Sequence, residues 1–164
     1  MKRESFRKRF MQIAALGMLV AASGVMAAEE TPRPPNVVII FLDDAGFGDF
    51  RPFGETAYPT PHVEQLAREG RCFSNFHVPQ AICSASRAAL MTGCYPGRTK
   101  VFGAHPPRAK GLDPKWTTMG QLLKGVGYAT AVFGKWHLGD LPETRPPARG
   151  FDESCGLMYS NDMW

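Results

Sequence analysis

Cys83 and Arg87 stand four residues apart in Cys83-Ser84-Ala85-Ser86-Arg87. That spacing puts both side chains on one face of a helix. If the helix begins at Cys83, its first N–H groups are unsatisfied and the positive end of its dipole points to the same place. A nucleophile, a fixed cation and a helix terminus would then converge on one anion. Read in isolation, the five residues suit a half-buried cysteine beside an exposed arginine better. Asp43-Asp44 brings two hard carboxylates together, the donors that Ca2+ or Mg2+ takes; a lone acidic pair is ordinarily a solvated turn. Lys135 and His137 alternate with Trp136, so both can face one side. The lysine offers a cation and the imidazole a proton acceptor near neutral pH. His62, His77 and His105 read as surface loop histidines.

The elements around these residues raise their standing. Asp43-Asp44 ends the apolar run Val37-Val38-Ile39-Ile40-Phe41-Leu42, which reads as a strand of a parallel sheet buried on both faces. Tyr128–Phe133 reads the same way and leads into Gly134-Lys135-Trp136-His137. Both chemical clusters therefore fall at carboxyl ends of strands, where open α/β sheets hold ligands. Pro61–Glu69 is predicted helical, with Pro61 in the first turn and Gly70 closing it. Cys72–Val78 alternates and is predicted to be a strand. Ser84–Met91 is predicted to be a second helix stopped by Gly93. A third is predicted after Thr117 or Thr118, through Met119, Leu122 and Leu123, and ended by Gly125 and Gly127. Beyond Pro142, Pro146 and Pro147 no element is predicted. The order of strands and helices indicates an α/β domain.

The longer stretch Cys83-Ser84-Ala85-Ser86-Arg87-Ala88-Ala89-Leu90-Met91-Thr92-Gly93 resembles the sulfatase signature. Agreeing motifs flank it in order: Asp43-Asp44, Gly46-Phe47-Gly48-Asp49, Thr60-Pro61-His62, Leu66-Ala67-Arg68-Glu69-Gly70, Tyr95-Pro96-Gly97-Arg98-Thr99, Gly134-Lys135-Trp136-His137-Leu138-Gly139 and Gly150-Phe151-Asp152-Glu153. The resemblance covers about residues 36–164, and Tyr159–Trp164 looks like the arylsulfatase branch. It implies an alkaline-phosphatase-like fold, a mixed or parallel sheet flanked by helices, of which this chain would carry the N-terminal part. It also implies that Cys83 is converted by a formylglycine-generating maturation enzyme, and that the hydrated aldehyde attacks the sulfur of a sulfated small molecule or glycan. One oxygen of such a diol can attack while the other expels sulfate, which neither serine nor cysteine can do. By the same resemblance Asp43, Asp44 and residue 83 would contact a divalent metal, Ca2+ foremost and Mg2+ as the other candidate. Arg87 would hold the modified residue, Lys135 would contact the sulfate, and His137 would take the proton of the formylglycine hydroxyl. Ala85 departs from the proline commoner at its position, which bears on which maturation enzyme accepts the chain. Asp49 reads as structural.

Residues 1–27 read as a secretory signal peptide, with a basic head, the apolar Phe10–Val25 and a small-residue site at Val25-Met26-Ala27. Gly17, Ser23 and Gly24 interrupt the apolar run, so no stable membrane anchor is expected, and the product is expected to be secreted or periplasmic. Residues 28–35 form a proline-rich lead-in, and 36–164 an incomplete catalytic domain. The leader holds five basic residues and one acidic, which leaves 14 of each sign and no reason to expect a nucleic-acid partner. An exported chain could pair Cys72, Cys83, Cys94 and Cys155. Later metal ligands of the family would lie beyond Trp164, so the chain is expected to be a fragment, inactive alone. Two other readings stay open: a phosphate or phosphonate ester hydrolase of the same superfamily, and a non-catalytic exported product.

Overall fold

The structure, a computed structural model, describes residues 33–161. The expected leader, the start of the lead-in and Asp162, Met163 and Trp164 lie outside the described residues. Residues 33–41 run without helix or strand, with Val38 84% and Ile40 75% exposed. The buried strand expected over Val37–Leu42 is therefore not formed. A parallel strand needs a ladder neighbour, and among the described residues pairing is confined to two short segments further on.

Residues 42–161 hold four helices: α1 (Pro61–Glu69), α2 (Cys83–Thr92), α3 (Pro96–Thr99) and α4 (Met119–Gly125). The paired strands are β1 (Ala131–Phe133) and β2 (Glu153–Cys155), parallel, with Ala131 opposite Glu153 and Phe133 opposite Cys155. The α/β character thus holds. The strand expected over Cys72–Val78 does not: it has no ladder, and Phe73 and Phe76 are 70% and 74% exposed. The strand expected over Tyr128–Phe133 shortens to β1, whose residues are exposed or half-buried instead of enclosed.

The helices follow local chemistry. Pro61 opens α1 and Gly70 ends it. Gly93 closes α2 in the left-handed region at φ 64. The small side chains Ser84, Ala85, Ala88 and Ala89 let α2 sink into the interior. Thr118 caps α4: its hydroxyl accepts from the Gln121 N–H at 3.3 Å and donates to the Arg149 carbonyl at 2.6 Å. Arg149, also buried, donates to the carbonyls of Pro114 and Trp116 and so locks the residues leading into that cap. Thr118→Ala is expected to cost about 2 kcal/mol in a denaturant titration, because it removes a cap and orphans a buried carbonyl; an unchanged midpoint would show that the cap does not hold α4.

The core cluster is Ala88, Val101, Leu112, Trp136, Leu138 and Phe151. Trp136 meets Phe151 edge-on at 5.8 Å and donates its indole N–H to the Thr144 carbonyl. Ala88 of α2 and Trp136 of the segment after β1 share this core. The packing therefore fixes where Cys83 and Lys135 stand relative to one another.

Candidate active site

Cys83 is the first residue of α2, and its thiol meets two partners. Lys135 Nζ lies 3.2 Å from the sulfur, and the S–H points to Asp43 Oδ1 at 3.8 Å. Lys135 also donates to Asp43 Oδ2 at 2.6 Å. Arg87, one turn along α2, donates to that same Oδ2 at 3.2 Å and to the Lys135 carbonyl at 2.6 Å. Four side chains from three stretches of chain thus close on one point: Asp43, Cys83, Arg87 and Lys135. The Lys135 hydrogen bond, helped by the charge of Arg87, holds the Asp43 carboxyl below its ordinary range against the opposing effect of partial burial. Burial pulls Lys135 down, but its bonds to Asp43 and Cys83 outweigh that and raise its pKa. Both groups are therefore charged at neutral pH.

The helix start is less open than its spacing suggests. Ile82 is the N-cap with no side-chain capping bond, and the Ala85 N–H is taken by the Gly103 carbonyl at 3.2 Å. The local positive charge comes mainly from Lys135 and Arg87. Asp44 sits in the left-handed region at φ 57, exposed and outside this cluster.

His137 is fully buried, also at positive φ. Strand alternation does not place it, because β1 ends at Phe133 and the backbone turns left-handed at Gly134 and again at His137. Its Nε2 lies 2.9 Å from the His105 carbonyl. A carbonyl only accepts, so Nε2 carries the hydrogen and Nδ1 the lone pair. Nδ1 is buried with no hydrogen-bond partner among the described residues. Burial lowers the pKa of His137, and the charges of Lys135 and Arg87 add to the effect, so the ring is neutral at neutral pH.

His105, expected to be a surface residue, is half-buried, and its backbone does the holding. Its N–H donates to Ser84 Oγ at 3.0 Å while its carbonyl receives His137. His62 and His77 are exposed as expected. Tyr159 packs edge-on against His137 at 5.7 Å and 86°. Ser84 and Tyr159 fall within motifs of the family resemblance, but no sequence signal assigns them, or His105, a part in this site. All four cysteines are free thiols.

Among the described residues no three metal-ligating side chains form a cluster. The donors near Cys83 are of the right kind for a hard divalent cation, since Asp43 and Asp44 offer carboxylate oxygens. Two carboxylates would supply only part of the 6–8 oxygens that Ca2+ takes, and of the two only Asp43 reaches Cys83, Arg87 and Lys135.

A family model described as Sulfatase matches residues 35–164. The chain is 42% identical over 150 residues to arylsulfatase A of Homo sapiens, an alignment covering 89% of this chain and 29% of that protein. It is 37% identical to N-acetylgalactosamine-6-sulfatase of Sus scrofa, covering 85% of this chain and 28% of that protein. Among solved structures, the PsFucS1 sulfatase from Pseudoalteromonas sp. superposes with a TM-score of 0.70 at 33% identity, over 95% of this chain and 30% of that one. The chain thus spans less than a third of the length of each of these relatives.

Proposed function

From the premise that the chain belongs to the sulfatase family and carries part of its alkaline-phosphatase-like α/β fold, we propose that it serves hydrolysis of sulfate esters, aryl or glycan, with residue 83 as the reacting centre. The observation that carries this reading is the closure of Lys135, Arg87 and Asp43 around Cys83. As formylglycine, residue 83 supplies a hydrated aldehyde, one oxygen for attack on sulfur and the other for expulsion of sulfate. Asp43 and Asp44 would help to hold a divalent cation, Ca2+ before Mg2+, and that cation would supply Lewis-acid chemistry at the sulfate oxygens.

The chain's own residues do the rest. Lys135 Nζ, already within hydrogen-bond distance of the side chain at 83, holds an anionic oxygen there and offsets charge that develops on it. Arg87 fixes both the Lys135 backbone and the Asp43 carboxylate, so the cation and the carboxylate keep their relative positions. His137, kept neutral by burial, accepts the hydroxyl proton at Nδ1. Because its pKa lies below the ordinary 6.5, kcat should hold steady as pH falls through 6.5 and decline only below it; an acid limb centred above 6.5 would exclude His137 as the acceptor.

Steady-state rates of the full-length protein on paired aryl sulfate and aryl phosphonate esters test the substrate class. A kcat/KM ratio of at least about tenfold in favour of sulfate is expected; the reverse ratio would assign the site to phosphonate esters. We propose further that residues 1–27 direct export and are removed, so N-terminal analysis of the mature chain should begin at Ala28; a mature chain beginning at Met1 would overturn this. Maturation calls for an enzyme that accepts Ala85 at the third motif position.

A further inference from the structure

Residues 103–108 form a strap across the site, held at both ends. At the first end it is tied to α2: the Gly103 carbonyl accepts from the Ala85 N–H at 3.2 Å, and the His105 N–H donates to Ser84 Oγ at 3.0 Å. At the far end the Arg108 N–H donates to Tyr159 Oη at 3.0 Å and reaches Asp140 Oδ2 at 3.3 Å. Between these ends the His105 carbonyl receives Nε2 of His137. The strap does not rest in an easy conformation, since Arg108 lies at φ 62, a region that residues other than glycine seldom adopt. It stays there because its ends are bound.

Tyr159 is built for this bond. It is 2% exposed. Burial, with the Asp140 carboxylate accepting from its hydroxyl, pushes its pKa up to about 12. The phenol therefore keeps its proton, donating to Asp140 while it accepts from Arg108. Its ring stands edge-on to His137. The adjacent Met158 carbonyl accepts the His137 backbone N–H at 3.0 Å, so the tyrosine and the histidine are fixed to one another through the backbone as well.

We propose that Tyr159 is a positioning residue for His137: through Arg108 it anchors the strap whose His105 carbonyl selects the Nε2–H tautomer and leaves the Nδ1 lone pair for the proton. The consequence for turnover rests on the role given to His137 above; the tautomer itself does not. An imidazole has two neutral tautomers, and the hydrogen bond made by one nitrogen decides which nitrogen keeps the lone pair. With the strap slack, the His105 carbonyl no longer holds Nε2–H, and the hydrogen is free to occupy Nδ1.

Tyr159→Phe keeps the ring and removes only the hydroxyl. Long-range 1H–15N correlation of the His137 imidazole should show a single Nε2–H tautomer in the unsubstituted protein and a mixture in the variant. Turnover of a sulfate ester should fall about tenfold in kcat with KM nearly unchanged. A variant that retains the single tautomer overturns the proposal. Tautomer mixing with unaltered turnover would support the strap and refute His137 as the acceptor, so the two readings fail separately. A second measurement needs no variant. The Arg108 amide of the unsubstituted protein should exchange with solvent at least about tenfold more slowly than an unprotected amide; unprotected exchange would show that the tie to Tyr159 does not exist and would overturn the proposal.

Discussion

On the proposed function, Asp43→Ala in the full-length protein is expected to lower turnover of a sulfate ester by about a hundredfold to a thousandfold while leaving the fold intact. The carboxylate is in direct contact with Lys135, Arg87 and Cys83, at 2.6, 3.2 and 3.8 Å. Without it, Lys135 and Arg87 lose a shared counter-charge, Lys135 loses the bond that holds it beside the sulfur, and the proposed metal site would lose a carboxylate. The stability cost should be small, about 1 kcal/mol, because the ion pairs are partly open to solvent, with side-chain exposures of 34% for Asp43 and 16% for Lys135. The folded-state pKa of Asp43 is depressed, so that stabilisation is present above the ordinary carboxylate pKa and disappears as pH falls through the lowered one. Three readouts separate the contributions. Metal content measured by atomic spectroscopy should drop, kcat should drop, and the urea midpoint should barely move. Asp43→Asn, which keeps the shape and loses the charge, should behave as Asp43→Ala does in metal content and turnover. Undiminished turnover in Asp43→Ala would sink the assignment of this cluster as the active site.

Cys83→Ala is expected to abolish turnover, and Cys83→Ser to stop after at most one sulfate transfer. A serine has one hydroxyl; it can take the sulfate and cannot expel it by forming an aldehyde. Neither change should unfold the protein, because Cys83 is half-buried at the start of α2, with its sulfur beside the polar groups of Lys135 and Asp43. The chemical state of residue 83 is the direct test. Arg71 and Arg87 bound one tryptic peptide that carries both Cys72 and Cys83, so each molecule supplies its own control. Tandem mass spectrometry of mature, active protein should find the thiol sulfur lost at 83 and kept at 72, and an aldehyde-reactive probe should label that peptide alone. Cys72, Cys94 and Cys155 should remain thiols. Fully active protein with an intact thiol at 83 would remove the aldehyde from the mechanism and leave Cys83 as a direct nucleophile.

The helices were legible because their signals are local. Pro61 and Gly70 bound α1, Gly93 stops α2, and Thr118 with Gln121 makes the capping box of α4. The i,i+4 spacing of Cys83 and Arg87 needed nothing beyond the helix period to put them on one side. The motif run around them carried the family, and the match over residues 35–164 agrees with it. Strands were another matter. Val37–Leu42 and Cys72–Val78 have the composition of strands and form none, while β2 is written Glu153-Ser154-Cys155, a triplet with no apolar signal. A strand exists only through its partner. β2 is held by bonds from the Gly134 N–H to the Cys155 carbonyl and from the Asp152 N–H to the Thr130 carbonyl, and Gly156 is required where the chain passes against the Gly134 carbonyl.

In the site itself, the sequence alone determined the identity of the chemical groups: a cysteine at a helix start, an arginine one turn on, two carboxylates, a lysine and a histidine. Tertiary structure decided which of them meet. Asp43 and Lys135 are 92 positions apart and share a hydrogen bond, whereas Asp44, next in the chain, turns left-handed and stays outside. Nothing in the sequence marks His105 or Tyr159 as neighbours of His137: one meets it through a backbone carbonyl and the other through a ring edge, while the Tyr159 hydroxyl is bound to the Arg108 N–H. Spacing encodes contacts within one helix because the helix period is fixed by backbone geometry. Contacts between segments follow from how the core around Ala88 and Trp136 packs, and that depends on the whole chain at once.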